Sequence, residues 1–138
     1  MRNGLRVGFT CGAFDLCHAG HVLAFKECKN HCDYLIVGLQ TDPSIDRPQK
    51  NKPIQGLEER KIQIEAIKYI DEIVIYETEA DLYALLKENA FNIDVRLLGE
   101  DWKGKHFTGD NLPIEIVFTP RTHNYSTSEL RERIKRAE

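Results

Sequence analysis

Two histidines three residues apart, His18 and His21, flank Gly20 just after the run Gly12-Ala13-Phe14-Asp15. If a helix starts there, this spacing puts both imidazoles on one turn facing one pocket, and the glycine lets an anion approach the backbone. The first amides of a helix lack intrahelical partners and its dipole favours negative charge, so a strand, a glycine-bearing turn and a helix start together form an anion site. Imidazoles add hydrogen-bond donors to that site. The chemistry indicated is the handling of phosphate.

Strands and helices must hold these groups in place, and the apolar pattern locates them. Residues 5–11 alternate in part through Leu5, Val7 and Phe9 and run into a glycine, as a strand entering a turn does, and Val22, Phe25, Cys28 and Cys32 then recur at helical spacing. Residues 33–39 are almost continuously apolar, the pattern of a strand covered on both faces in a parallel sheet. Residues 41–56 carry Pro43, Pro48 and Pro53 and read as a long surface loop bearing Lys50 and Lys52. Residues 57–69 follow helical spacing through Leu57, Ile64 and Ile67, with Arg60, Lys61 and Lys68 among them. A strand over 72–76, a helix over 79–90, a strand over 94–99, a polar stretch over 100–111 and a strand over 114–118 continue the alternation. The last helix opens at Ser126-Thr-Ser-Glu129, a capping-box pattern ahead of Leu130 and Ile134.

The expected architecture is α/β: a single Rossmann-like domain over residues 1–138, with a mainly parallel five-stranded sheet flanked by helices. Ligands of such sheets bind beyond the carboxyl ends of the strands. Residues 12–21, 41–52, 99–105 and 121–128 all open on that side, so the chemistry-bearing loops share one face.

Size and composition narrow the field. The 138 residues suffice for one core, and a net charge of −3 with no basic stripe gives no pull toward nucleic acid or an anionic membrane. No apolar run matches a membrane span and the opening residues lack a signal-peptide core, so a cytoplasmic protein is expected. The four cysteines, Cys11, Cys17, Cys28 and Cys32, crowd into the first quarter unlike a disulfide scaffold and are expected reduced. Cys28 and Cys32 lack a second Cys/His pair at zinc spacing, so no protein-held metal is expected.

Taken together, Gly12-Ala-Phe-Asp15 followed by His18-Ala-Gly-His21 resembles the signature of the HxGH nucleotidyltransferase superfamily. Three further segments are similar to those of its small bacterial glycerol-3-phosphate cytidylyltransferases: Lys68-Tyr-Ile-Asp-Glu72, Gly99-Glu-Asp-Trp-Lys-Gly-Lys105, and Arg121-Thr122 with Ser126-Thr127. The likeness spans nearly the whole chain. It implies CMP transfer from CTP to a small phosphorylated alcohol, glycerol 3-phosphate first, releasing pyrophosphate. It also implies Mg²⁺ held mainly through the nucleotide phosphates, and a homodimer. Other readings keep the chemistry with phosphoethanolamine, heptose phosphate or ATP, or keep the fold as a non-catalytic nucleotide-binding module.

Under this resemblance the catalytic residues are His18, His21, Lys50, Lys52 and Arg121. Nucleotide contacts fall to Cys11, Gly12, Ala13, Phe14, His18, Gly20, His21, Gly99, Asp101, Arg121, Thr122, Ser126 and Thr127. Acceptor contacts fall to Asp15, Lys50, Lys52, Arg60 and Lys68. Asp15 reads equally as a structural partner of its turn, Gly99 and Asp101 as turn formers, and Trp102 as core or pocket wall. The chain departs from the family pattern at Ala13, Ala19, Lys68 and His123-Asn-Tyr125, positions that touch the nucleotide and acceptor pockets.

Overall fold

The computed structural model describes residues 4–137. Residues 1–3, in which the lead-in without a signal-peptide core was read, lie outside the described residues, as does residue 138. The chain alternates as β1 (Val7–Gly12), α1 (Ala19–Lys29), β2 (Tyr34–Gln40), α2 (Leu57–Glu65), β3 (Glu72–Tyr76), α3 (Glu79–Glu88), β4 (Val95–Gly99), a 3-10 turn (Glu100–Trp102), β5 (Glu115–Thr119) and α4 (Thr127–Arg136). The strands form one sheet in the order β3-β2-β1-β4-β5, and every pairing is parallel. Among the described residues, no helix is long and apolar enough to cross a membrane.

The unbroken apolar run of β2 has the cause inferred for it. Leu35, Val37 and Leu39 pack on one face with Phe25 and Cys28 of α1 and Ile64 of α2. Ile36 packs on the other face with Val7, Phe9 and with Leu82 and Leu86 of α3. Each such fully buried side chain stabilises the fold by ~1.5–3 kcal/mol.

α2 stops at Glu65, short of the residue 69 expected from periodicity. Ile67 and Ile70 still reach the core, but through successive i to i+3 turns, with Ile67 N donating to Ile64 O and Ile70 N to Ile67 O. Apolar spacing survives these turns, so it cannot mark where the helix ends.

The strand order reverses between β1 and β4. β1 leads through β2 to β3 in one direction, and α3 carries the chain back across the sheet to β4. Loops leaving the carboxyl ends of β1 and β4 therefore part, opening a cleft at that point.

Candidate functional site

The signature turn that leaves β1 is held in an uncommon backbone. Phe14 and Leu16 both have φ of 51°, the left-handed region that costs a side-chain-bearing residue ~1–3 kcal/mol. Asp15, between them, over-determines the conformation. Its carboxylate accepts from Ile54 N at 2.8 Å and Gln55 N at 3.0 Å and pairs with Arg131 Nη2 at 3.1 Å, while Leu16 N donates to Gln55 Oε1 at 2.8 Å. With only 9% of its surface exposed and its partners already in place, Asp15 is a clamp between turn, loop and α4, the structural one of its two readings. Phe14 likewise packs inward, edge-on to His21 at 5.6 Å between centroids and against Phe25 at 5.0 Å.

α1 begins on an unusual cap. His18 is its N-cap, with Nδ1 accepting from Gly20 N at 3.0 Å, and His21 Nδ1 accepts in return from His18 N at 3.2 Å. His123, in the loop before α4, repeats the device by accepting from Tyr125 N through Nδ1 at 3.1 Å. A ring nitrogen that accepts an amide proton carries none itself, so each imidazole is held as the tautomer with its proton on Nε2.

Burial reinforces neutrality at the two signature histidines. It lowers the pKa of His21 to about 4, aided by the neighbouring His18 and opposed by Asp15. Burial also lowers that of His18, with His123, Arg121 and Arg133 adding repulsion. The result is a set of uncharged Nε2–H donors near neutral pH.

The start of α4 meets the start of α1. His18 Nε2 lies 3.1 Å from Thr127 Oγ1, and Ser126 caps α4 by accepting from Glu129 N at 3.1 Å. Two helix N-termini thus face one cavity of about 460 Å³, lined by His18, Gly20, His21, Gly99, Asp101, Arg121, Thr122, His123, Ser126 and Thr127. Their dipoles and unpaired first-turn amides both favour an anion there. Arg121 is held at the rim: Nη2 donates to Tyr125 O at 2.6 Å, and Nη1 lies 3.7 Å from Asp101 Oδ2.

A second cavity of about 660 Å³ opens on the other side of β1 and β4, and Gly99 lines both. Cys11, Gly12 and Ala13, grouped with the nucleotide contacts in the sequence, line this larger cavity instead. Burial raises the thiol pKa of Cys11, and its sulfur sits 3.9 Å from Arg96 Nη2. Lys50 lines the same cavity, while Lys52 is exposed, its charge helping to lower the pKa of Asp42 after the stronger effect of Ser44's hydroxyl.

Arg60 and Lys68 do not face either cavity as acceptor ligands. Arg60 is 2% exposed and donates to four backbone carbonyls: Nε to Gln55 at 3.1 Å, Nη1 to Ala13 at 3.0 Å and Gln40 at 2.7 Å, and Nη2 to Thr41. It ties the ends of β1 and β2 to the loop over 41–56. Lys68 follows α2, whose nine residues run about 13 Å back from the carboxyl ends of the strands. It therefore sits just ahead of β3 at the opposite edge of the sheet, with Nζ over the Tyr69 ring at 5.3 Å.

Sequence reasoning passed over Glu79, Gln40, Arg47 and Arg96 in the larger cavity, and it met His123, in the smaller, only as a departure from the family pattern. One signal was available. Arg96 is a charge inside an otherwise apolar strand, and it is 4% exposed with Nη1 donating to Thr108 O.

A model of the cytidylyltransferase-like family matches residues 9–133. Glycerol-3-phosphate cytidylyltransferase of Bacillus subtilis is 36% identical over 126 residues, 91% of this chain and 94% of that protein. Bifunctional protein HldE of Hyphomonas neptunium is 33% identical over 132 residues, 92% of this chain, which spans only 26% of that longer relative. Among solved structures, the lipopolysaccharide core biosynthesis protein from Thermoplasma volcanium GSS1 superposes with a TM-score of 0.67 at 26% identity, covering 89% of this chain and all of that one. The paired helix starts thus lie in a chain that belongs to the cytidylyltransferase-like family.

Proposed function

We propose that the chain transfers CMP from CTP to a phosphorylated alcohol, of which glycerol 3-phosphate is the simplest member, and releases pyrophosphate. One observation carries this reading: the starts of α1 and α4 converge on one cavity and are joined by the His18 Nε2 to Thr127 Oγ1 contact. A phosphate oxygen of the acceptor attacks the α-phosphorus of CTP, forming a P–O bond as the bond to the β-phosphate bridging oxygen breaks. The attacking oxygen is already ionised, so no general base is needed. The work lies in holding two polyanions together and stabilising charge as it moves onto the leaving pyrophosphate.

His18 and His21 supply Nε2–H donors to the phosphates without adding a charge. Arg121, Thr122, Ser126 and Thr127 take the β- and γ-phosphates with the first amides of α4. Lys50, which lines the larger cavity, and Lys52, two residues further along the same loop, bridge acceptor phosphate and nucleotide.

The donors at these helix starts suit phosphate oxygens, and among the described residues no three His, Cys, Asp or Glu side chains converge to hold a metal. Such a site fits a Mg²⁺ that arrives on the nucleotide, where it would neutralise phosphate charge. The resemblance adds a homodimer to this reading, and the sequence pattern adds a cytoplasmic setting.

The test is product identity. With CTP, Mg²⁺ and glycerol 3-phosphate, phosphorus NMR is expected to show a new diphosphate diester and free pyrophosphate in equal amounts. Orthophosphate in place of pyrophosphate would contradict the transfer.

A further inference from the structure

We propose that His123 is a third imidazole donor of this site, its Nε2–H bonding the β- and γ-phosphates of the nucleotide, the half that leaves as pyrophosphate. This rests on the transfer reading above and adds to it a binding residue for the leaving group. His123 falls where the chain departs from the family pattern, so the resemblance assigns it no role.

The surrounding backbone aims the ring. His123 is half-buried in the loop between β5 and α4 and lines the smaller cavity. Tyr125 holds it twice, donating N–H to Nδ1 at 3.1 Å and stacking its own ring on the imidazole. With an amide proton already on Nδ1, the ring proton stays on Nε2. That nitrogen adjoins Cε1, the atom that crowds the α-carbon of Gly20, and His18 Cε1 crowds the same carbon. The N–H edge of His123 therefore lies beside the first turn of α1, next to the first signature imidazole.

Tyr125 also fixes a neighbouring cation. Its carbonyl oxygen accepts from Arg121 Nη2 at 2.6 Å, so one residue holds the guanidinium by its oxygen and the imidazole by its nitrogen. Arg121 takes the β- and γ-phosphates in the reading above, and a donor set by the same anchor serves the same anion. Arg121 and Arg133 both act on His18 with positive charge, which favours an anion here over a neutral ligand.

What the ring lacks is an acceptor. Among the described residues, His123 Nε2 has no hydrogen-bond partner, whereas His18 Nε2 lies 3.1 Å from Thr127 Oγ1. A turn alone would be served by a shorter side chain, because asparagine accepts in the same way from the amide two residues on. The imidazole carries a second nitrogen that the turn does not use. A base carbonyl is the other acceptor a nucleotide offers, but the ring is fixed at the two helix starts, whose first amides take phosphate.

Two substitutions separate the two nitrogens. His123→Asn places an acceptor where Nδ1 stands and keeps the bond from Tyr125 N, but it ends short of Nε2. His123→Gln reaches the Nε2 position with an N–H and gives up the turn. Calorimetry with Mg²⁺ measures the affinity of the wild type and both variants for CTP, pyrophosphate and CMP. His123→Asn should weaken CTP and pyrophosphate about tenfold and leave CMP within about twofold, while His123→Gln stays within about threefold of wild type for all three. Both changes lie in a surface loop, and the melting temperatures should match wild type.

His123→Asn binding pyrophosphate at least as tightly as His123→Gln overturns the proposal and leaves the ring a turn former. Equal weakening of CTP and CMP by His123→Asn overturns it too, moving the contact off the leaving group. Either result, with CTP bound by the wild type, leaves the transfer reading standing. A wild type that binds neither CTP nor pyrophosphate removes the transfer reading and this proposal together.

Discussion

The imidazole of His123 lies against the α-carbon of Gly20, so close that a methyl group there would stand 3.0 Å from His123 Cε1 and 2.8 Å from His18 Cε1. The small residue inside the signature is what lets an imidazole from the α4 side close over the start of α1. His123 in turn stacks on Tyr125, with centroids 5.3 Å apart and planes at 30°.

Gly20→Ala separates function from stability. An alanine inside a helix is favoured over glycine by up to ~1 kcal/mol, which offsets part of the crowding. Both imidazoles must shift, so CTP affinity measured by calorimetry should fall at least about tenfold while the melting temperature changes little. Unchanged affinity would mean that the two rings do not need their observed positions.

Replacing either signature histidine removes a pre-organised donor. His18→Ala and His21→Ala are each expected to lower turnover by about a hundredfold or more, with circular dichroism unchanged. Steady-state pyrophosphate release measures this directly, and near-normal rates in both variants would remove their role.

The lowered pKa of His21 makes stability depend on pH. In the folded chain the group titrates at about 4, against 6.5 when unfolded. Below pH 6.5 the unfolded chain takes up a proton that the folded one refuses. The contribution is therefore complete above 6.5, declines as pH falls, and is lost near 4. It amounts to a few kcal/mol, on the order of 3. Urea unfolding at pH 7.5 and pH 5 should show this decline, and His21→Gln should reduce it relative to wild type.

Arg60 should behave as a structural residue. Arg60→Ala leaves the carbonyls of Ala13, Gln40, Thr41 and Gln55 without their donor, and about 3 kcal/mol or more of stability should be lost. Arg60→Lys should restore little, because a single ammonium cannot reproduce a planar fork of donors. Urea denaturation gives the comparison.

Much of this molecule was legible before its structure. β2 declared itself by an apolar run that only two covered faces explain, and Ser126 with Glu129 marked the start of α4, where Ser126 does cap the helix. Of the residues read as nucleotide contacts, His18, Gly20, His21, Gly99, Asp101, Arg121, Thr122, Ser126 and Thr127 line one cavity, whereas Cys11, Gly12 and Ala13 line the other.

Other groups were less legible, because charge type says nothing about where a charge is spent. Asp15 and Arg60 have the chemistry of ligands, but backbone amides and carbonyls consume their hydrogen-bonding capacity. Lys68 was placed by motif likeness, and only the direction of α2 shows it at the far edge of the sheet. Glu79, Gln40 and Arg47 come from three separate segments with no shared spacing, and pairing across the fold alone brings them together.

Labelled CTP tests the central claim most directly. With CTP labelled at the α-phosphate, Mg²⁺ and an acceptor phosphate, the label should pass into the alcohol product, whereas label at the γ-phosphate should leave entirely as pyrophosphate. Label from the γ-position in the alcohol product, or as orthophosphate, would contradict nucleotidyl transfer at this site.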